Sequence, residues 1–328
     1  MVETVNTPTG SVGVVIIGNN GGERFKRCIA AVQPQADYIV YVDSGSTDDS
    51  ATWSRDQGVD VVEWKTDSFS AGGARNRGFE RLHDQVPDLA YVQFLDGDCL
   101  TDPVWLATAR AALDQAPQQA IASGRTREEQ AQVSVYNRLS EMGWAKPIGP
   151  VEHCEGACLV RAAMFAAVGG YNPDLFGGEE IDLCHRLSLQ GWSTVQLDAP
   201  MVDHDAEQTA FSQWWKRRVR RGASFARSAT MSQGPAIHRL VRRTLFWTAG
   251  PLLVGLGGLV LGAMGLHSPG GTLLVGLALI LAARLIWLSL RELRQGWTLA
   301  QALVYALAAF IEDWAHLWGL IRFKTKGK

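Results

Sequence analysis

The stretch Ala90-Tyr91-Val92-Gln93-Phe94-Leu95-Asp96-Gly97-Asp98 is an apolar run that stops on two carboxylates held one residue apart. Such a run bounded by a turn reads as a buried strand, and period-two geometry aims Asp96 and Asp98 to the same side of it. Gly97 carries no side chain between them, so a bulky ligand can approach the backbone. Paired hard oxygens at a strand tip suit Mg²⁺ or Mn²⁺, ions that keep open positions for substrate phosphates. A solvated acidic turn ahead of a helix opened by Asp102-Pro103 has the same composition, so the neighbouring strands must decide.

Residues 12–17 form a continuous apolar run ending at Gly18, and residues 38–42 another ending at Asp43; residues 23–32 between them have helical periodicity. A third strand at 59–64 and a helix at about 71–85 lead into the Asp96 strand. This alternation implies a mostly parallel central α/β sheet flanked by helices. Ligands of such sheets sit outside the carboxyl ends of the strands, so Gly18-Asn19-Asn20, Asp43-Ser44-Gly45-Ser46 and Asp96-Gly97-Asp98 should converge on one crevice. The loop Gly18-Asn19-Asn20-Gly21-Gly22 lacks the G-x-G-x-x-G spacing, and no G-x-x-x-x-G-K-[ST] occurs. Both observations argue against a nicotinamide enzyme and a P-loop ATPase.

With 328 residues, 47% of them hydrophobic, and a net charge of −2, the chain can bury a large core and has no global nucleic-acid signature. The averages hide an order. Residues 11–205 read as a globular catalytic domain behind a short flexible N-terminus, 1–10, which lacks the pattern of a signal peptide. Residues 206–243 are basic and amphipathic, with Lys216-Arg217-Arg218-Val219-Arg220-Arg221 at their centre. Residues 244–290 then read as a transmembrane hairpin of segments 244–266 and 272–290, each near the ~20 apolar residues needed to cross a bilayer. The turn between the segments has no Lys or Arg, whereas Arg242, Arg243, Arg291 and Arg294 flank the open ends, which places those ends and the catalytic domain in the cytosol. Residues 297–322 form an amphipathic helix with Glu312, Asp313 and His316 on its polar face, expected in the membrane interface ahead of cytosolic Lys324, Lys326 and Lys328. Arg284, ~10 Å along the helix from Arg291, must either snorkel to water or pair with Glu312 or Asp313. The five cysteines form no regular framework and read as reduced thiols. His153, Cys154, Cys158, Cys184 and His185 contain no paired C-x-x-C for zinc.

Taken in order, Val14 to Asn20, Val42-Asp43-Ser44-Gly45-Ser46-Thr47-Asp48-Asp49-Ser50, Ala74-Arg75-Asn76, Leu95-Asp96-Gly97-Asp98 and Gly178-Glu179-Glu180-Ile181-Asp182-Leu183 resemble the motif set of family 2 glycosyltransferases of the GT-A fold. The resemblance covers roughly residues 12 to 222. Within the family it resembles bacterial ExoA-like exopolysaccharide transferases with a membrane tail. It implies that Asp43 and the backbone around Gly18, Asn19 and Asn20 receive the nucleobase of a nucleotide-diphosphate sugar, with Ser44, Gly45 and Ser46 in the same donor loop. It further implies that Asp96 contacts the ribose, that Asp98 holds Mg²⁺ or Mn²⁺ with Asp96 beside it, and that His204 supplies another ligand. Arg75 and Asn76 are donor contacts by the same token, as is Arg217 in Gln213-Trp214-Trp215-Lys216-Arg217. Two positions depart from the family pattern: Gly21 stands where relatives commonly carry Glu, and Ala157 where many carry Asp.

Inverting transfer needs a carboxylate to take the acceptor proton. The resemblance puts that base at Glu180, with Glu179 and Asp182 as rivals in the same acidic helix start. The expected function is thus a metal-dependent inverting glycosyltransferase at the bacterial inner membrane, using a polyprenyl-linked saccharide acceptor. The competing readings are a processive polysaccharide synthase, disfavoured by the short membrane tail, and a non-catalytic membrane scaffold, disfavoured because the acids survive.

Overall fold

The computed structural model describes residues 10–66, 69–232 and 234–326. The expected flexible stretch 1–10 therefore lies outside the described residues apart from Gly10, as do Lys328 and the side chains of Lys324 and Lys326.

The chain divides into two compact units, the first comprising residues up to 207 with 231–236, the second 208–230 with 237–328. The sheet of the first unit starts from β1 (Ser11–Gly18), whose apolar run is buried on both faces, as a strand between two helical layers requires. β1 pairs in parallel with β2 (Tyr38–Asp43) and β4 (Leu89–Asp96), and β2 with β3 (Asp60–Glu63). The sheet continues through β8 (Cys158–Arg161), β6 (Gln119–Glu128) and β9 (Ser193–His204) to β5 (Cys99–Thr101), in the order β3-β2-β1-β4-β8-β6-β9-β5, with β7 (Gly149–Val151) also on β9. Half of the sheet is therefore parallel, and the half beyond β4 is mixed. β8 joins β4 and β6 antiparallel, while β6 and β9 run parallel.

Side-chain alternation divides the core between the two faces. Val14, Ile16, Phe25, Tyr41 and Trp105 fill one face, under α1 (Gly22–Val32) and α4 (Trp105–Gln115). Val15, Ile17, Val42, Leu82, Phe94 and Phe165 fill the other, under α3 (Ala71–Gln85) and α6 (Ala162–Ala167). Ser70 starts α3 by accepting from Gly73 N at 3.1 Å, the bond that satisfies an otherwise orphaned amide. Helices α2 (Ser50–Asp56), α5 (Val135–Trp144) and α7 (Glu179–Leu189) complete this unit.

The second unit contains α8 (Phe211–Met231), most of α9 (Pro235–Ala263), α10 (His267–Arg294) and α11 (Leu299–Lys326). Helices α9 and α10 are long and apolar enough to cross a membrane, and both extend beyond the expected apolar segments into the flanking basic turns. Helix α11 departs from the expectation of a polar face turned to water. Asp313 and His316 are 2% and 6% exposed, whereas Leu307, Ile311 and Trp318 on the opposite face are 56%, 43% and 47% exposed. The polar residues face inward because they have partners there: Glu312 lies 3.4 Å from Arg218 and 3.5 Å from His316. Exposed large apolar side chains on such a scale mark a surface made for something other than water.

Arg284 resolves the alternatives in favour of pairing, with Asp313 rather than Glu312. Its guanidinium bonds the Asp313 carboxylate and lies 4.0 Å from the Trp247 ring centroid and 4.6 Å from that of Phe310. At 7% exposure, it does not snorkel. Leaving either charge buried alone costs about 3–5 kcal/mol. Arg284→Leu and Asp313→Asn should each lower the melting temperature of the detergent-solubilised chain, and the double variant should cost far less than their sum. Strictly additive losses in that cycle would show that the two side chains are not an energetic pair.

Candidate active site

At the carboxyl ends of β1, β2 and β4 the first unit opens into a cavity of about 740 Å³, lined in part by Gly18, Asn19, Asn20, Ser44, Asp96 and Asp98. The expected convergence of the three strand-end loops is present. Asn19 Nδ2 donates to Ser44 O at 3.0 Å, and Asn20 Oδ1 accepts from Thr47 N at 2.7 Å, which ties the first loop to the second. Asn20 takes φ 51, a left-handed conformation that Asn tolerates better than most residues.

Asp43 has a different place from the one expected of a base-binding residue. It is 2% exposed, and both oxygens are turned into its own loop. Oδ1 accepts from Tyr41 Oη at 2.8 Å and from Ser46 Oγ; Oδ2 accepts from Gly45 N at 3.1 Å and Ser46 N at 3.0 Å. An Asx turn of this kind consumes the carboxylate and shapes the loop. Asp43, Gly45 and Ser46 are therefore the wall behind the cavity, while Ser44 is its lining.

Arg75 requires the largest correction. Helix spacing alone allows an exposed guanidinium free for phosphate, but the second turn of α3 points it inward, where it is 2% exposed. Nη2 donates to Asp96 Oδ1 at 2.9 Å, and Nη1 reaches Glu179 Oε1 and Glu180 Oε1, each at 3.1 Å. It is the shared counter-charge of three acids. Asn76 is also committed, accepting from Tyr171 N at 2.9 Å and donating to Tyr171 O at 2.8 Å. Arg217 is carried by α8, in the other unit.

The three rival acids of α7 are separated by their partners. Gly178, at φ 81, starts the helix in a conformation that suits glycine. Asp182 is bound to Arg186 Nε at 2.8 Å, and the same guanidinium donates to Val168 O and Gly170 O at 2.6 and 2.7 Å, a structural tie between α7 and the turn after α6. Glu179 is buried, with Oε2 lacking a hydrogen-bond partner among the described residues. Glu180 is the most accessible of the three acids, counting side chains. Burial, then the charge of Glu179, push its pKa from 4.5 to about 8 against the pull of Arg75. A Cβ at Gly156 would lie 2.9 Å from Arg75 Nη2, 3.4 Å from Asp96 Oδ2 and 3.7 Å from Glu180 Oε1, so this glycine leaves open the space between the two acids.

Removing the counter-charge has a calculable sign. Arg75→Met would leave the buried Glu180 carboxylate without its counter-charge, a loss of about 3 kcal/mol or more while it is ionised. The loss should shrink at pH 5, well below the Glu180 pKa of about 8, where its carboxyl is protonated. Thermal unfolding at pH 5 and pH 8 measures the difference; an equal loss at both would mean that Arg75 acts by packing alone.

A second cluster sits across Asp96. The turn after β4 presents Asp98, and antiparallel pairing of β5 with β9 sets Cys99 opposite His204. His204 Nε2 lies 3.2 Å from Asp98 Oδ2, and ligand atoms of Asp98, Cys99 and His204 all lie within 4.8 Å of one another. Burial opposes the charge on Asp98, but the His204 hydrogen bond and charge outweigh it and hold the carboxyl below its usual range. Burial pushes the Cys99 thiol far up, so it stays protonated and is a poor ligand. A carboxylate and an imidazole at the edge of a polar cavity fit Mn²⁺ or Mg²⁺. Asp96 lies outside this compact set. The strand ends at Asp96 and a turn intervenes, so the two acids take different partners instead of sharing one side.

Arg24 lines the same cavity and was not among the expected residues. It lies 2.7 Å from Asp205 and 2.9 Å from Glu207. A signal was available in the sequence: a cation in the first turn of a helix opposes the macrodipole, and such a local conflict marks a position held by something other than helix stability.

Residues 13–158 match the family model for glycosyl transferase family 2. The match covers this stretch, less than half of the chain, and with the fold it marks the chain as an enzyme of the glycosyltransferase class. The architecture is that of the GT-A fold. The chain is similar to the mannosyltransferase PcManGT of Pyrobaculum calidifontis, solved in complex with GDP-Man and Mn²⁺, with 19% identity, a TM-score of 0.57 and coverage of 94% of this chain and 89% of that one. It is also similar to residues 1–349 of S. aureus TarS, with 13% identity, a TM-score of 0.50 and coverage of 76% and 79%. No curated protein matches the sequence.

Proposed function

We propose that the chain is a metal-dependent inverting glycosyltransferase that moves a sugar from a nucleoside-diphosphate sugar to a polyprenyl-linked saccharide acceptor. Its place is the cytoplasmic side of the bacterial inner membrane, in the synthesis of an exopolysaccharide or cell-surface glycan. The observation that carries this reading is the pair of clusters either side of Asp96: Asp98 with His204 at the cavity, and Glu180 held by Arg75 behind it.

In this reading Asp98 and His204 hold the divalent ion, and a bound ion supplies positive charge beside the leaving diphosphate. Gly18, Asn19, Asn20 and Ser44 receive the nucleoside by backbone and amide groups, on a loop stiffened by Asp43. Glu180 accepts the proton of the attacking hydroxyl, and its raised pKa of about 8 makes it a stronger base than an ordinary carboxylate. Arg75 keeps Glu180 and Asp96 at fixed separation, and Gly156 leaves the gap through which the acceptor hydroxyl reaches them. The PcManGT complex supports a nucleotide-sugar donor with Mn²⁺ by likeness of fold. A membrane acceptor is supported by the two membrane-length helices and by the apolar outward face of α11.

The test is a screen of nucleotide sugars for nucleoside diphosphate release by the full detergent-solubilised chain, with and without EDTA. Metal-dependent release from one donor, increased by a polyprenyl-linked acceptor, is the expected result. Release unaffected by EDTA, or no release from any donor, would overturn the reading.

A further inference from the structure

Within the second unit lies a groove of about 460 Å³, lined by Trp215, Lys216, Val219 and Arg220 of α8 and by Trp318 and Arg322 of α11. Its two walls are held together by backbone contact: a Cβ at Gly319 would fall 2.1 Å from Val219 O, and one at Gly222 would fall 2.3 Å from His316 O. The groove is therefore a fixed feature of the helix pair. Spacings of four residues, 215 to 219, 216 to 220 and 318 to 322, put its side chains on facing stripes.

The chemistry of the lining is selective. It offers cations and indoles over a buried Val219, and among the described residues no acid lines it. The acids of α11 point elsewhere, Glu312 toward Arg218 and Asp313 to Arg284. The rim beside it is apolar, with Trp314 40% and Ile321 43% exposed. A soluble anion needs the cations but not the apolar rim, and an alkyl chain needs the rim but not the cations. A ligand that needs both carries an anionic head on an apolar body. Guanidinium groups bind phosphate oxygens through paired donors, and Trp favours the boundary between headgroups and hydrocarbon.

We infer that this groove binds the phosphate headgroup of an anionic membrane phospholipid, seating the α8–α11 pair at the bilayer surface. The inference rests on the membrane reading of the second unit and not on the donor or acceptor assignments.

The full chain, in a mild neutral detergent, is titrated with phosphatidylglycerol, phosphatidylcholine or inorganic phosphate, and bound species are counted by native mass spectrometry. Phosphatidylglycerol should bind at least ~10-fold more tightly than phosphatidylcholine, and the Arg220→Ala/Arg322→Ala variant should weaken it on the order of 30-fold, at ~1 kcal/mol per interfacial charge. Arg220→Lys/Arg322→Lys should keep most of the binding, which separates lost charge from a misfolded helix pair. Equal binding of the two lipids, or unchanged binding in the alanine variant, would overturn the proposal. So would full displacement of phosphatidylglycerol by millimolar inorganic phosphate, which would make this a site for free anions.

Discussion

Glu180→Gln should lower sugar transfer by on the order of 10²–10⁴-fold while leaving donor affinity nearly unchanged, because Gln keeps the shape and the Arg75 contact but cannot accept a proton. The pH dependence sharpens the expectation. With a pKa of about 8, wild-type kcat/KM should rise with pH and level off above that value, and the variant should lose this limb. Stability should move the opposite way. Burial raises the folded-state pKa from 4.5 to about 8, so the protonated form favours the fold, and that contribution is lost as pH rises through about 8. The variant, which is never charged, should melt above wild type at pH 9 and equal it near pH 4. An active Glu180→Gln beside a dead Asp182→Asn would move the base to Asp182, against the Arg186 ion pair that now occupies it.

Asp98→Ala should abolish both transfer and donor hydrolysis, by on the order of 10³-fold or more, since a metal ion at a developing diphosphate is worth several kcal/mol. The fold should survive, because Asp98 sits in a turn and is 41% exposed by its side chain. Asp96→Ala should be different in kind. Arg75 would lose one of its three partners, so a loss of stability should accompany the loss of rate. Activity assays paired with melting curves separate the two. A stable, inactive Asp96 variant beside an unstable Asp98 variant would reverse the roles assigned to the two acids.

The parts of this architecture written in local pattern were legible in the sequence. Apolar runs ending at Gly18, Asp43 and Asp96 gave three neighbouring parallel strands, and the loops after them do meet at one cavity. Pairing between Cys99 and His204 was not legible, since it joins residues far apart in the chain and depends on β9 running to its last residue. The burial of Arg75 escaped for a related reason: its three acids lie on β4 and α7, and helical periodicity says only that Arg75 has a face, not what covers it. In α11 the two faces were visible but the burial of the polar one was not, because amphipathicity does not say what each side meets. The Arg284 alternatives narrowed to Asp313 only when α10 and α11 were seen to pack side by side, with Leu288 against Ala306 and Ala309.

Isothermal titration of GDP and UDP into the full detergent-solubilised chain, with and without Mn²⁺, for wild type and Asp98→Ala, tests the central claim most directly. The account predicts that one of the two nucleotides binds wild type at least ~10-fold more tightly with Mn²⁺, and that the metal makes no difference to the Asp98 variant. Binding of neither nucleotide, or a Mn²⁺ effect that persists without Asp98, would contradict it.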